Sequence, residues 1–594
     1  MLVFLLTHYH KQFRFISRKG PNPKEFISSV RHVSHKVAWK SFFKDQGPNS
    51  NFSKPLLKKA IAPFRQVSPP EIEYWISKWK AHMYSSWAQC SRFGPGVRTW
   101  ANTFQIHLAA MACLDIFQLV ALPTDKDGGF CLVHSGVLRE VHLQLFRSSW
   151  YKEVASLYAS ESFWKDNVVP PFIGICKRIC KVDPIPFKEL TSSVNPLHTS
   201  SVLRNTVKTH KPNGQVKFRP VHASSKHCFS SASVWLQKTM DSKLKAFPHL
   251  IGSTDEFLKR MSSLVVDEND LLLHMDLDDF FMTGSVDFIS RTVTSLFEGD
   301  IATPLDDLVS YVLDHQYVRS PQVPEAIFKV VEGSGMGLRH SAGLSNACFC
   351  AHAEIRGVGL ATQAFQTRFG IKCYMRYVDN LFFVVKQDWV KIRALVDLVK
   401  CSNSMSPYTS KVEEASRQTI NFLDVQIFKG SPDSMQQCRI LWQPVLKDTA
   451  LRSVLGFNSC HPVHVHLSWM SGFIERLRRN SHCIDTFRSF KHIALERLRQ
   501  AGVCNPALRL IGRATAFTLP TNPYGFASQA AVSDPVMWCP FSFHPLLRKV
   551  LLSAIHEFNS DHAAQHAWQS FFGSKFTIRV AWRVDVPPLQ LLVR

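Results

Sequence analysis

Between Tyr374 and Val385 the chain reads Tyr-Met-Arg-Tyr-Val-Asp-Asn-Leu-Phe-Phe-Val-Val. Two β-prone runs flank Asp379-Asn380, and both of those residue types tolerate left-handed backbone. The pattern predicts a tight hairpin with its tip at 379–380. A second apolar run, Leu271-Leu272-Leu273-His274-Met275, ends on Asp276. A carboxylate at a strand end and another on a hairpin tip suit two-metal phosphoryl transfer. That chemistry holds two cations about 3.5–4 Å apart and needs carboxylates from separate strands to bridge them. Either acid alone reads as an ordinary turn or strand-end residue. The weight comes from an ordered set: a basic loop, a strand ending in Asp, a Gly-rich turn into a helix, then the aromatic hairpin with its Asp.

Charge points the same way. The 594 residues carry a formal charge of +24 and a pI near 9.5. That implies a polyanionic partner, nucleic acid first and an anionic membrane surface second. Hydrophobic residues make up 45% and charged residues 20%, which excludes a broadly disordered chain. The 15 cysteines follow no even framework. Neither Cys176 with Cys180 nor Cys348 with Cys350 matches a zinc pattern, so they read as reduced thiols of an intracellular protein. Cys460, His461, His464 and His466 read as packing or nucleic-acid-contact residues, with metal binding as the alternative. The apolar stretch Phe104 to Leu122 includes His107 and Asp115, so it reads as a buried helix and not a membrane span.

Residues 1–70 hold 13 Lys/Arg against Glu25 and Asp45, with Gly-Pro, Asn-Pro and Pro-Pro breaks. They read as a basic, partly flexible segment, either a nucleic-acid-binding arm or a mitochondrial presequence. Residues 71–165, with Trp75, Trp79, Trp87 and Trp100, alternate apolar and polar at helical spacing.

Lys208-Thr209-His210-Lys211-Pro212 with Arg219-Pro220-Val221 resembles the fingers motif of reverse transcriptases. Asp276-Leu277-Asp278-Asp279-Phe280-Phe281 is similar to motif A. Gly335-Met336-Gly337-Leu338 through Ser345-Asn346-Ala347 resembles motif B, and Tyr377-Val378-Asp379-Asn380 motif C. Asn421-Phe422-Leu423-Asp424-Val425 resembles a segment that the Penelope-like branch carries after motif C. The basic block after His461-Pro462 resembles that group's thumb, and Pro588 to Arg594 the end of its polymerase portion. The resemblance covers about residues 165–594.

It implies an α+β right-hand polymerase of fingers, palm and thumb with a mainly helical N-terminal extension. The expected divisions are 1–70, the helical extension 71–165, fingers 166–265, palm 266–430, and thumb with C-terminal region 431–594. The implied activity is RNA-directed DNA polymerase, a nucleotidyltransferase of a retroelement. Its partners are an RNA template, a DNA primer and dNTPs, with no membrane, and its place the nucleus, the mitochondrion being the alternative. The catalytic positions are Asp276, Asp379 and Asn380, and Asp276 and Asp379 are the ligands of two Mg²⁺ ions, replaceable by Mn²⁺. Lys208, Lys211 and Arg219 neutralise the triphosphate, and Phe281 crowds a ribose 2′-hydroxyl while Phe280 packs in the core. Gly335 and Gly337 let backbone approach the nucleotide or template. Leu344, Ala347, Cys348 and Ala351 form the buried stripe of the following helix. In the thumb, Met470, Phe473, Ile474 and Leu477 form a buried stripe, and Arg476, Arg478 and Arg479 face phosphates.

Three departures bear on activity. Motif C ends in Asn380 where the family has a second Asp. Leu338-Arg339-His340-Ser341 replaces the Ser-Pro of motif B. The chain shows no GIY-YIG endonuclease, so it is expected not to nick its own target. The competing reading is a polymerase-derived nucleic-acid-binding protein without catalysis. A third is an RNA-synthesising polymerase, which Phe281 opposes.

Overall fold

The computed structural model describes residues 4–5, 27, 30, 34, 70–92, 114–125, 130–208, 217–401, 403–432, 436–446, 463–500, 503, 508, 536–542, 545–572 and 577–583. Two compact units emerge. The first joins 1–7, 118–457 and 466–519; the second joins 8–117, 458–465 and 520–594. Both mix helices and strands.

Sixteen strands are described in the first unit. They are β1 (Phe4–Leu5), β2 (Leu119–Pro123), β3 (Phe130–His134), β4 (Tyr151–Val154), β5 (Ser201–Lys208), β6 (Lys217–Ala223), β7 (Val265–Asp267), β8 (Leu271–Leu277), β9 (Tyr317–Ser320), β10 (Val323–Val330), β11 (Ile371–Tyr377), β12 (Asn380–Val385), β13 (Ser410–Ser416), β14 (Thr419–Phe422), β15 (Val425–Lys429) and β16 (Gln437–Pro444). They build sheets ordered β1-β3-β2, β4-β10-β9-β5-β6, β11-β12-β8-β13 and β14-β15-β16-β7.

The β11-β12-β8-β13 sheet is antiparallel throughout. Five of the six residues of β12 are buried, as a central strand covered on both faces requires. Strand alternation sorts its side chains into two cores. Leu271, Leu273, Met275, Leu381, Phe383 and Val385 join the large core with helix α2 (Ser341–Phe349) and helix α3 (Trp389–Cys401). Leu272, Phe382 and Val384 join the other, with Phe257, Phe422 and Ile427. Each fully buried side chain of this size contributes about 1.5–3 kcal/mol.

The stripe Leu344, Ala347, Cys348 and Ala351 is buried as expected, and so is Phe280. The stripe expected at 470–477 also forms: Met470, Ile474 and Leu477 are buried on helix α4 (Val463–Arg479), against Phe487 and Leu498 of helix α5 (Ile484–Gln500). Cys176, Cys180, Cys228, Cys348, Cys350, Cys373 and Cys483 are free thiols. No helix among the described residues is long and apolar enough to cross a membrane.

The second unit contains the helices Pro70–Arg92, Pro545–Asn559 and His562–Phe572 and the parallel strand pair Val536–Ser542 and Thr577–Arg583. Its core is aromatic: Trp75 lies 5.2 Å from Phe558 and 5.3 Å from Trp568. The N-terminal expectation needs correction in two places. The described part of the stretch Phe104–Leu122 is not a buried helix. Ile116 and Phe117 are exposed, Gln118 turns the chain at φ 50°, and Leu119 starts a strand. A short apolar run does not by itself distinguish helix from strand, and here pairing with β3 decided it. Nor is 71–165 helical throughout: helices make up most of its described residues, but β2, β3 and β4 lie within it and pair inside the first unit.

Three buried histidines make the first unit acid-sensitive. Burial holds the imidazoles of His222 and His227 down to about 4 and that of His340 to about 3. They stay neutral when folded but take protons when unfolded as pH falls below about 6.5. The unfolded state then binds more protons, so stability is lost as pH falls from that value towards the folded-state values. At pH 5 the loss is about 1–2 kcal/mol per histidine. The urea midpoint is expected to drop clearly between pH 7 and pH 5. An unchanged midpoint would contradict the neutral burial of these rings.

Candidate active site

Asp276 lies near the end of β8, and its neighbours follow from register. Asn380 of β12 stands opposite it on one side and Lys411 of β13 on the other. Antiparallel partners of this kind have Cα atoms about 4.5–5.5 Å apart. Leu277 N donates to Asp379 O at 2.9 Å, which ties the hairpin tip to the end of β8. Val378 takes φ 55° at the tip. Asp379 therefore sits beside Asp276 as the sequence predicts, with the tip one residue earlier than expected. Burial first, then the charge of Asp276, raise the Asp379 carboxyl above the usual carboxylate range.

Asn380 is fixed at both ends of its amide. Nδ2 donates to Asp379 Oδ1 at 2.7 Å, and Oδ1 accepts from His274 Nε2 at 2.9 Å. His274 is braced in turn by the Phe422 ring, 5.2 Å away, in the segment that follows motif C. The oxygen expected to replace a carboxylate thus faces a histidine. Asn380 meets the acidic pair as a hydrogen-bond donor.

Lys411 was not anticipated. Nζ lies 3.0 Å from Asp276 Oδ2, 3.4 Å from Asp278 Oδ1 and 3.2 Å from Glu413 Oε1. Burial opposes its charge, but the hydrogen bond and charge of Asp276, followed by Glu413, hold the amine well above the usual lysine range. Asp279 adopts left-handed backbone at φ 44°, with the turn Phe280–Met282 after it. Burial and then the Asp278 charge raise its carboxyl, while Lys208 and Lys411 pull it down. Lys208 therefore acts on the same acidic cluster.

Arg219 lies on β6 with Nη1 2.9 Å from Asp125 Oδ1, and its charge is also felt at Asp379. It is thus close to the site but already paired. Lys211 lies outside the described residues, as do Cys460, His461, Pro588–Arg594 and most of 1–70. Of His464 and His466 only the helical backbone is described.

Phe281 is half-buried, 5.4 Å from Phe280 in an edge-to-face pair. Its carbonyl accepts from Ser334 N at 2.8 Å. The contact is close because Gly333, at φ 76°, lies against this turn: a Cβ there would stand 2.3 Å from Met282 Cα. Gly337, at φ 97°, serves a different approach from the one expected. A Cβ on it would meet Val221 Cγ1 at 2.8 Å, and Met336 O accepts from His222 N at 2.7 Å. The loop packs on β6 through its glycines.

The thumb arginines differ from one another. Arg476 is the most exposed at 56%, with Asp424 3.9 Å away. Arg478 is held by Glu475 at 2.5 Å, and Arg479 pairs with Asp255 at 2.9 Å. Two of the three expected phosphate contacts are thus occupied by neighbouring acids.

No protein-family model matches the chain, and no curated protein matches it. Solved structures do. Apo telomerase from Candida tropicalis aligns at 9% identity over 93% of this chain and 92% of that one, with a TM-score of 0.39. A form of it truncated from the C-terminal domain matches at 10% identity over 52% of this chain and 62% of its own, at 0.34. Telomerase from Candida albicans, in complex with a fragment of telomeric RNA, matches at 7% over 77% and 69%, with 0.43. The RNA-dependent RNA polymerase of a human picobirnavirus matches at 10% over 70% and 84%, with 0.39. At scores this low the functional reading rests on the residues themselves.

Proposed function

We propose that this chain is an RNA-directed DNA polymerase of the Penelope-like retroelement type, extending a DNA primer on an RNA template with dNTPs. The observation that carries it is the juxtaposition of Asp276, on β8, with Asp379, at the hairpin tip leading into the paired strand β12, with basic Lys208 and Arg219 acting on the same cluster. The donor set suits Mg²⁺: two carboxylates converge, and Asp379 is raised partly by the charge of Asp276, a repulsion that a divalent cation relieves. Asp276 and Asp379 would hold two ions, whose chemistry is to activate the primer 3′-hydroxyl and stabilise the departing pyrophosphate. Lys208 and Arg219 neutralise triphosphate charge through charge-assisted hydrogen bonds. Arg219 exchanges Asp125 for the nucleotide. Phe281 borders the sugar, and Arg476 meets template–primer phosphates.

Primer extension on an RNA template with Mg²⁺ or Mn²⁺ tests the reading, with dNTP incorporation as the expected result. Absence of incorporation with either metal, with template–primer still bound, would establish the non-catalytic reading instead. That second reading is favoured by one observation, the engagement of the Asn380 oxygen by His274.

Asn380→Asp replaces the donor facing Asp379 with a charge. It is expected to raise Mg²⁺-supported incorporation several-fold. The parent should prefer Mn²⁺, which binds a given ligand set more tightly. Equal Mg²⁺ dependence in the two proteins would show that position 380 does not set the metal preference. Phe281→Ala should increase relative rNTP use on the order of 10–100-fold, the range that pocket shape commands. Unchanged sugar discrimination would remove Phe281 from that role.

A further inference from the structure

Arg376 is 1% exposed in a strand whose other residues, apart from the ion-paired Lys372, are apolar or aromatic. A buried guanidinium needs partners for its whole donor fork. Nε and Nη2 reach Glu354 at 2.9 and 3.0 Å. Nη1 donates to Asn346 Oδ1 at 2.6 Å and to Val378 O at 2.8 Å. Its cationic face lies 5.9 Å from the Phe280 ring and 5.1 Å from Phe349. One side chain thus touches the turn after Asp276, the helix after the glycine loop, and the tip that carries Asp379.

His249, Cys350 and Glu354 also bring donor atoms within 4.8 Å of one another. They do not make a metal site. Glu354 already accepts from Arg376 and from Tyr374 OH at 2.5 Å, with His249 Nε2 3.1 Å away. Burial first, then the Glu354 charge, push the Cys350 thiol well up, away from the thiolate that a metal needs. The cluster already has its cation in Arg376.

We infer that the Arg376–Glu354 pair is a clamp that positions Asp379. Val378 is β-branched at φ 55°, a conformation such residues adopt only when the surroundings enforce it. The Arg376 bond to Val378 O fixes this turn, and Glu354 fixes Arg376. Asp379 follows in the chain, so its carboxylate is aimed at Asp276 by a charge pair buried below it. Arg376 is a positioning residue; it touches neither nucleotide nor metal. The inference rests on Asp276 and Asp379 being the metal pair.

The test uses the full chain with the Arg376→Met/Glu354→Met double variant, since exchanging both partners of a buried pair for apolar residues generally preserves folding. Mn²⁺ is the probe, its free ion followed by electron paramagnetic resonance, and deuterium uptake is read peptide by peptide. The expected results are faster uptake confined to the peptide spanning 374–382 and Mn²⁺ binding weakened about tenfold, the scale of lost outer-shell support. Arg376→Lys keeps the charge but lacks the fork. It should show the same two changes, and it serves where the double variant does not fold. Parent-like uptake at the tip together with parent-like Mn²⁺ binding overturns the clamp. A parent that binds no Mn²⁺, or binds it as well as Asp379→Ala does, overturns the metal reading and the clamp's link to it. The uptake measurement then still decides whether Arg376 fixes the turn.

Discussion

Asp379→Ala is expected to reduce dNTP incorporation on the order of a thousandfold or more. A metal at a phosphoryl-transfer centre contributes several kcal/mol of charge stabilisation, and each factor of ten in rate corresponds to about 1.4 kcal/mol. Asp379 sits at the hairpin tip beside the end of β8, so its loss removes one of the two proposed metal ligands. The fold should survive, because removing a carboxyl that burial already holds above its usual range relieves an electrostatic strain. The thermal midpoint should stay level or rise while primer extension collapses. Parent-like incorporation by Asp379→Ala would overturn the assignment of the site.

Glu354→Leu is expected to destabilise the first unit by about 3–5 kcal/mol, because it leaves the Arg376 charge buried without its carboxylate. Urea unfolding measures it, and a loss under 1 kcal/mol would show that the pair is not closed as described. The pH dependence separates this effect from that of the histidines. Burial pushes the Glu354 carboxyl up, but the charge of Arg376, then that of His249, outweighs it and holds the group far below the usual range. A carboxyl depressed in the fold contributes stability at every pH above its unfolded value, near 4.5, and loses it only as pH falls through the lower folded value. The part of the Glu354→Leu deficit that comes from Arg376 should therefore stay constant between about pH 5 and 8, while the histidine contribution varies.

The hairpin and its acid were legible because two β-prone runs around Asp-Asn leave few other solutions. The buried stripes at 344–351 and 470–477 were legible from helical spacing. Lys411 was not, because it meets Asp276 only through strand register, across 135 residues of chain. Arg376 had a visible signal, a cation within a largely apolar strand that also carries Lys372. Its partner Glu354 lies in a separate helical segment and could not be guessed. The thumb arginines were read for charge alone. Glu475 stands three residues before Arg478, within reach of it on a helix, and neutralises it. The joining of 520–594 with 8–117 was hidden because it unites distant parts of the chain, and the aromatic packing of Trp75 on Phe558 and Trp568 shows itself only in the folded unit.

Lys411 gives the acidic cluster a tethered counter-ion. Without it, Asp276, Asp278 and Glu413 would repel one another along strands that must stay in register. With it, the metal ion of the proposed function would enter by exchange: the ammonium would have to swing away before Asp276 were free, and its long stem, 47% exposed, leaves room to do so. The counter-ion thereby keeps the cluster assembled, and under the proposed function it would do so at some cost in affinity for the ion. A neutral residue at 411 would shift that balance, giving tighter ion capture by a less settled cleft.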